Sequence, residues 1–169
     1  RKTTFKTGQS TNEVIRIGDT VRRTTGPHSP FVHKLLKLLE KRNFNYSPKF
    51  LGIDKKEREI ISYINGEPIL SGLNKLELAI SAIKILRQFH DITADSNLVG
   101  NEEVVCHNDF SPWNTLIKES QIVGIIDFDE AKPGRRVEDL AYAIWTFLDL
   151  GSDQDPQIQI KNLKKLATT

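Results

Sequence analysis

The sequence predicts an α+β chain of two lobes, a small antiparallel sheet with one helix followed by a mainly helical lobe that carries a loop and a β-hairpin. Three observations predict it. Short apolar runs bounded by turn residues fill the first 65 positions, with a single helical stripe among them. From Lys75 onward the apolar spacing becomes helical, in stripes near 75–90, 140–148 and 160–166. Between these, Thr115-Leu116-Ile117 and Ile122 to Ile126 read as two strands joined by the polar turn Lys118 to Gln121.

A chain of 169 residues is long enough for one ordinary domain or two small lobes sharing a core. Hydrophobic residues make up 38% and charged residues 27%, the balance of a soluble globular protein. No apolar run approaches the length that crosses a membrane, and the polar start RKTTFKTGQSTNE does not read as a secretory signal. The one cysteine excludes an internal disulfide and suits a reducing compartment, so a cytoplasmic location is expected. A net charge of only +2 gives no ground for a nucleic-acid partner. Its distribution is uneven: Lys and Arg exceed Asp and Glu in residues 1–66, and the reverse holds in 67–169. A basic front suits a polyanionic nucleotide and an acidic back suits a cationic acceptor; solvated charge spread by chance fits equally.

Taken in order, Phe5 and Val14 to Ile17 mark two strands linked across Gly8 to Asn12, and Val21-Arg22-Arg23 marks a third. Strand alternation lets one of the two arginines face inward, and the register favours Arg22, with Arg23 next. Ser29-Pro30 opens a helix, Ser as its cap and Pro in the first turn, with Val32, Leu35, Leu36 and Leu39 as the buried face. His33 reads as an ordinary residue of that helix. Phe50 to Ile53 and Glu59 to Ile64 form a hairpin, and Asn65-Gly66 ends the first lobe, giving a boundary between 1–65 and 66–169. Lys75 to His90 is a helix with the stripe Leu76, Ala79, Ile80, Ile83, Leu86 and His90, the histidine being a satisfied core residue. Leu140 to Leu148 is a strongly apolar helix, and a last helix surrounds Ile160, Leu163 and Leu166.

The chain is organised around residues 104–129, VVCHNDFSPWNTLIKESQIVGIIDFD. Val104 to Cys106 delivers His107 into a turn, and Asn108-Asp109 and Ser111-Pro112 keep Asp109 on a loop. The following hairpin brings Asp127 back beside that loop, so Asp109, Asn114 and Asp127 are expected to converge. Two carboxylates and an amide suit Mg²⁺, a hard cation that takes oxygen ligands together with substrate phosphates. Asn114 and Asp127 are the expected ligands, and Asp109 is left to accept a proton.

HNDFSPWN followed by IIDFDEA resembles the aminoglycoside phosphotransferase and choline kinase-like family, which has a bilobal protein-kinase-like fold. The resemblance implies a small-molecule kinase that transfers the terminal phosphoryl group of ATP or GTP to a hydroxyl of a small acceptor. In it Asp109 is the catalytic base, His107 supports the loop, and Mg²⁺ sits on Asn114 and Asp127. It further implies that Gly8 and Ser10 fold over the nucleotide phosphates and that Arg22 or Arg23 pairs with them. The backbone of Ser62 to Ile64 would receive the adenine, Asp129 and Glu130 would face the acceptor, and Asp139 would tie its helix to the catalytic loop; surface solvation fits Glu130 equally, and a helix-start acid favoured by the dipole fits Asp139 equally. One departure stands out: the helix after the third strand lacks the Glu that pairs with the strand cation, its only acid, Glu40, lying at the far end. The tail after Asp127 is also short for the family. A nucleotide-binding relative without catalysis is the alternative, and a metal-dependent phosphoesterase lacks the ligands for a two-metal site.

Overall fold

The structure, a computed structural model, describes residues 2–5, 14–69 and 75–168; the expected phosphate-facing Gly8 and Ser10 lie outside them. The first sheet is antiparallel throughout, built from β1 (Lys2–Phe5), β2 (Val14–Ile17), β3 (Thr20–Thr24), β4 (Phe50–Ile53) and β5 (Arg58–Ser62) in the order β1-β2-β3-β5-β4. Its one helix, α1 (Ser29–Lys41), packs on it through Val32, Leu35, Leu36 and Leu39, all buried as the spacing predicts. Burying four such side chains stabilises by about 1.5–3 kcal/mol each before entropy is counted. The cap differs by one residue from expectation. His28 precedes the helix, and Ser29 lies in its first turn, where its hydroxyl accepts the N–H of Gly26 at 2.8 Å.

After β5 the chain leaves this sheet. β6 (Glu67–Pro68) pairs with β8 (Thr115–Lys118), which pairs with β9 (Gln121–Ile125), and β7 (Val104–Cys106) pairs with β10 (Lys132–Gly134). The β8–β9 turn is made by Glu119 and Ser120, both at positive φ (51° and 65°), so a primed two-residue turn forms without glycine. Around these ribbons lie α2 (Lys75–Thr93), α3 (Arg136–Leu148) and α4 (Pro156–Ala167). No described helix is long and apolar enough to cross a membrane.

α2 is longer than expected and its buried face is turned. Leu78, Ala79, Ala82, Ile85, Leu86, Phe89 and His90 are buried, whereas the predicted Leu76, Ile80 and Ile83 are only partly covered. The helix is apolar on two sides, and periodicity alone does not rank them. The deeper side meets Phe44, Val105 and Phe128; Ile83 lines a shallow groove with Leu140, Ile144, Leu163 and Leu166. One core therefore runs from α1 through α2 to α3 and fixes the loop that β7 feeds.

Candidate active site

The loop after β7 is held from below by a single buried carboxylate. Asp139, on the first turn of α3, accepts the backbone N–H of His107 at 2.8 Å on Oδ2 and that of Asn108 at 2.9 Å on Oδ1. It also meets His90 Nε2 of α2 at 2.9 Å. Burial works against its charge, but these hydrogen bonds outweigh it and hold the carboxyl below its ordinary range. Asn108 takes a left-handed conformation (φ 61°), which asparagine tolerates, and turns the chain toward Asp109.

His107 is fully buried and neutral, because burial lowers its pKa more than Asp139 raises it. Its Nε2 donates to the carbonyl of Ile126 at 3.1 Å, and Nδ1 accepts the N–H of Asp109 at 3.3 Å. That fixes the tautomer and joins the loop to the end of β9. His107 is thus a brace between two segments.

Asp109 is gripped on both oxygens. Asn114 Nδ2 donates to Oδ2 at 2.7 Å and to the Asp109 carbonyl at 3.0 Å, while the Tyr142 hydroxyl donates to Oδ1 at 2.7 Å. With Nδ2 spent, the Asn114 Oδ1 is the amide atom left to meet a cation. Burial and the Asp109 charge push the Tyr142 phenol up to about 12, so it stays protonated as a donor. Tyr142 is a residue the sequence reading missed: an aromatic in an apolar helix reads as core.

Asp127 follows β9 with φ 66°, and the N–H of Ile126 bonds the Asn114 carbonyl at 2.9 Å, so the chain enters Asp127 beside the Asn114 backbone. Burial first, then the neighbouring Asp129 and Asp109 charges, raise the pKa of Asp127, while Arg23 lowers it. Asp109 is bonded to Asn114, and its charge is felt at Asp127. Two carboxylates and an amide oxygen match the oxygen preference of Mg²⁺, so the donor set fits that ion.

The cation above them is Arg23. Arg22, favoured from the sequence, instead turns its guanidinium to Thr20 Oγ1. The reason lies in the pleat: Arg23 and Val21 share the face that packs toward α1, opposite Glu59 and Ile61 of β5. Arg23 donates through Nε to Glu59, lies 2.6 Å from Asp129 through Nη2, and 3.5 Å from Asp127 through Nη1. Asp129, expected to face an acceptor, is therefore engaged by Arg23 and by His28 at 3.2 Å, and it links the two lobes. Glu130 is exposed, and its carbonyl receives Asn108 Nδ2 at 2.9 Å. At the expected adenine edge, the Ser62 N–H is taken by the Lys49 carbonyl and the Tyr63 N–H by the Asp19 carbonyl, both at 2.9 Å. Ile64 packs its side chain over Gly124, where a Cβ would approach it to 2.7 Å.

The two lobes, with this loop and hairpin, form a protein-kinase-like fold. Residues 94–163 match the phosphotransferase enzyme family, which bears out the resemblance carried by HNDFSPWN and IIDFDEA. Among solved structures, an aminoglycoside phosphotransferase from Streptomyces rimosus is similar at a TM-score of 0.70 and 14% identity, over 98% of this chain and 84% of that one. A choline/ethanolamine kinase family protein from Mesorhizobium loti is similar at 0.55 and 16%, over 97% and 68%. The trifolitoxin immunity protein of Rhizobium leguminosarum bv. trifolii is 33% identical, over 87% of this chain and 62% of its own length. The chain thus spans under two thirds of that curated relative.

Proposed function

We propose that this chain is a small-molecule kinase that moves the terminal phosphoryl group of ATP or GTP onto a hydroxyl of a small acceptor. A cationic amino sugar or amino alcohol is the acceptor class that the resemblance favours. The observation that carries this reading is the gathering of Asp109, Asn114 and Asp127 beneath Arg23. Phosphoryl transfer asks a protein chiefly for positioning and charge stabilisation, and this set can supply both.

Asp109 keeps a lone pair beyond those given to Tyr142 and Asn114, and takes the proton as the acceptor oxygen bonds to phosphorus. The bridging P–O bond then breaks and leaves the nucleoside diphosphate. Asn114 Oδ1 and the Asp127 carboxylate would hold Mg²⁺, which when bound neutralises charge on the phosphates. Arg23 adds two N–H donors suited to phosphate oxygens.

A second reading is a nucleotide-binding relative without transfer, with an interaction or regulatory role. It is favoured by the 33% identity to an immunity protein and by the missing acid early in α1. Nucleotide consumption with Mg²⁺ against aminoglycosides, choline, homoserine and sugars separates the two. Turnover should appear with one acceptor and drop about 10²–10⁴-fold in Asp109→Asn. Binding of Mg²⁺–ATP with no transfer across the panel would replace the first reading by the second.

A further inference from the structure

We infer that Glu59 and His33 are positioning residues for Arg23, forming a clamp whose acid comes from the sheet and whose helix contributes a histidine. The inference rests on the kinase reading and goes beyond it in naming what aims the phosphate-facing cation.

Glu59 is 1% exposed, and a buried carboxylate is costly unless it is paired and hydrogen-bonded. It has two partners. Arg23 lies directly across the β3–β5 ladder and donates from Nε. His33 approaches from the second turn of α1, with Nε2 2.6 Å from Glu59 Oε2. The His33 ring is itself fixed, stacked on Phe50 with centroids 3.9 Å apart and planes 23° off parallel. The first turn of α1 holds no acid, and its one acidic residue, Glu40, pairs with Lys49 at 3.1 Å. The helix thus supplies no carboxylate to Arg23, and the strand beside it does.

The chemistry explains why the cation is arginine. A guanidinium presents donors in a rigid fork, so anchoring Nε to Glu59 fixes the plane and leaves both Nη groups pointing away from the sheet. Those groups meet Asp129 and Asp127, beside the oxygens that suit a cation. A lysine carries its three donors on one nitrogen at the end of a flexible stem, so it would reach Glu59 and a phosphate without the fixed plane of the guanidinium. The Nη1 contact to Asp127 is long, at 3.5 Å, and Asp127 is half exposed, so this contact costs little to give up. Arg23 can therefore pass Nη1 from Asp127 to a phosphate oxygen while Nε stays on Glu59. His33 keeps Glu59 from following.

The test measures ATP binding with Mg²⁺, and adenosine binding as a control, in the chain and in Glu59→Gln, His33→Gln, Arg23→Lys and the Arg23→Lys/Glu59→Gln pair. Expected are losses of ATP affinity of about tenfold for Glu59→Gln and Arg23→Lys and about threefold for His33→Gln, with adenosine unchanged. The pair should lose far less than the product of its two singles, because both break one interaction. Equal losses for ATP and adenosine would mean a structural role and overturn the inference, as would ATP affinity unchanged in both Glu59→Gln and His33→Gln. A wild-type chain that binds no ATP with Mg²⁺ overturns the kinase reading itself, and this inference with it.

Discussion

The Tyr142 hydroxyl lies 2.7 Å from Asp109 Oδ1, on the oxygen opposite the one that Asn114 holds. A neutral donor on each side fixes the plane of the carboxylate. Hydrogen bonds to a charged group contribute about 1.5–3 kcal/mol, and removing this one releases one oxygen to rotate. Tyr142→Phe should lower kcat by roughly tenfold while leaving the KM for nucleotide within about twofold. Steady-state kinetics on a responding acceptor check this; an unchanged kcat would show that Asn114 alone is enough to orient Asp109.

Asp139 predicts a stability effect. It satisfies two backbone N–H groups of the loop and one buried histidine, so Asp139→Ala leaves all three without an acceptor. Removing one partner from such a buried set costs about 3–5 kcal/mol, a large share of what a small domain holds in reserve. Asp139→Asn keeps one acceptor oxygen and should cost less, on the order of 1–3 kcal/mol. Urea denaturation of both variants gives the ordering, and equal midpoints for the two would contradict it.

The sequence shows some of this plainly and hides the rest for physical reasons. The buried face of α1 was legible because Val32, Leu35, Leu36 and Leu39 repeat at helical spacing on one side only. In α2 two apolar sides compete, and which is deeper depends on tertiary partners such as Phe44 and Phe128. His90 read correctly as a satisfied core residue, because a histidine on an apolar face needs a buried partner, found in Asp139. The contact of Asp109 with Asn114, and the return of β9 to the Asn114 backbone, were legible from a loop and hairpin of fixed length. The choice of Arg23 over Arg22 was not, since it depends on which side of β3 the helix covers. Glu59 was hidden likewise: an acid within a strand looks solvated until the register puts it across from Arg23.

His107 predicts a pH effect through linkage. Burial, outweighing the Asp139 charge, lowers its folded pKa below the ordinary 6.5, so below that pH the unfolded chain binds a proton that the folded chain refuses. The stabilisation from neutral His107 is therefore complete above about pH 6.5 and declines as pH falls below it. His107→Gln lacks this dependence. The gap in unfolding free energy between wild type and His107→Gln should be constant above pH 7 and narrow toward pH 5, measured by urea titration at each pH. A gap that widens toward acid would mean the ring is charged in the fold.

Asp127 carries the opposite sign. Partial burial of this half-exposed carboxyl, and then the Asp129 charge, raise its pKa above the usual 3.8, so its ionised form costs a small, solvent-screened amount of stability at neutral pH. Asp127→Asn should unfold at a slightly higher temperature than wild type, yet bind Mg²⁺–ATP more than about tenfold more weakly, since an amide is a poorer ligand for a hard cation. Arg23 holds this pKa down, so in Arg23→Gln the carboxyl titrates still higher, and the acid limit of Mg²⁺–ATP binding moves up in pH. Asp129→Asn moves that limit down by removing a like charge. Binding measured from pH 4.5 to 7.5 in the three chains should rank the acid limits Arg23→Gln highest, wild type next and Asp129→Asn lowest. Any other order would detach Asp127 from the cation.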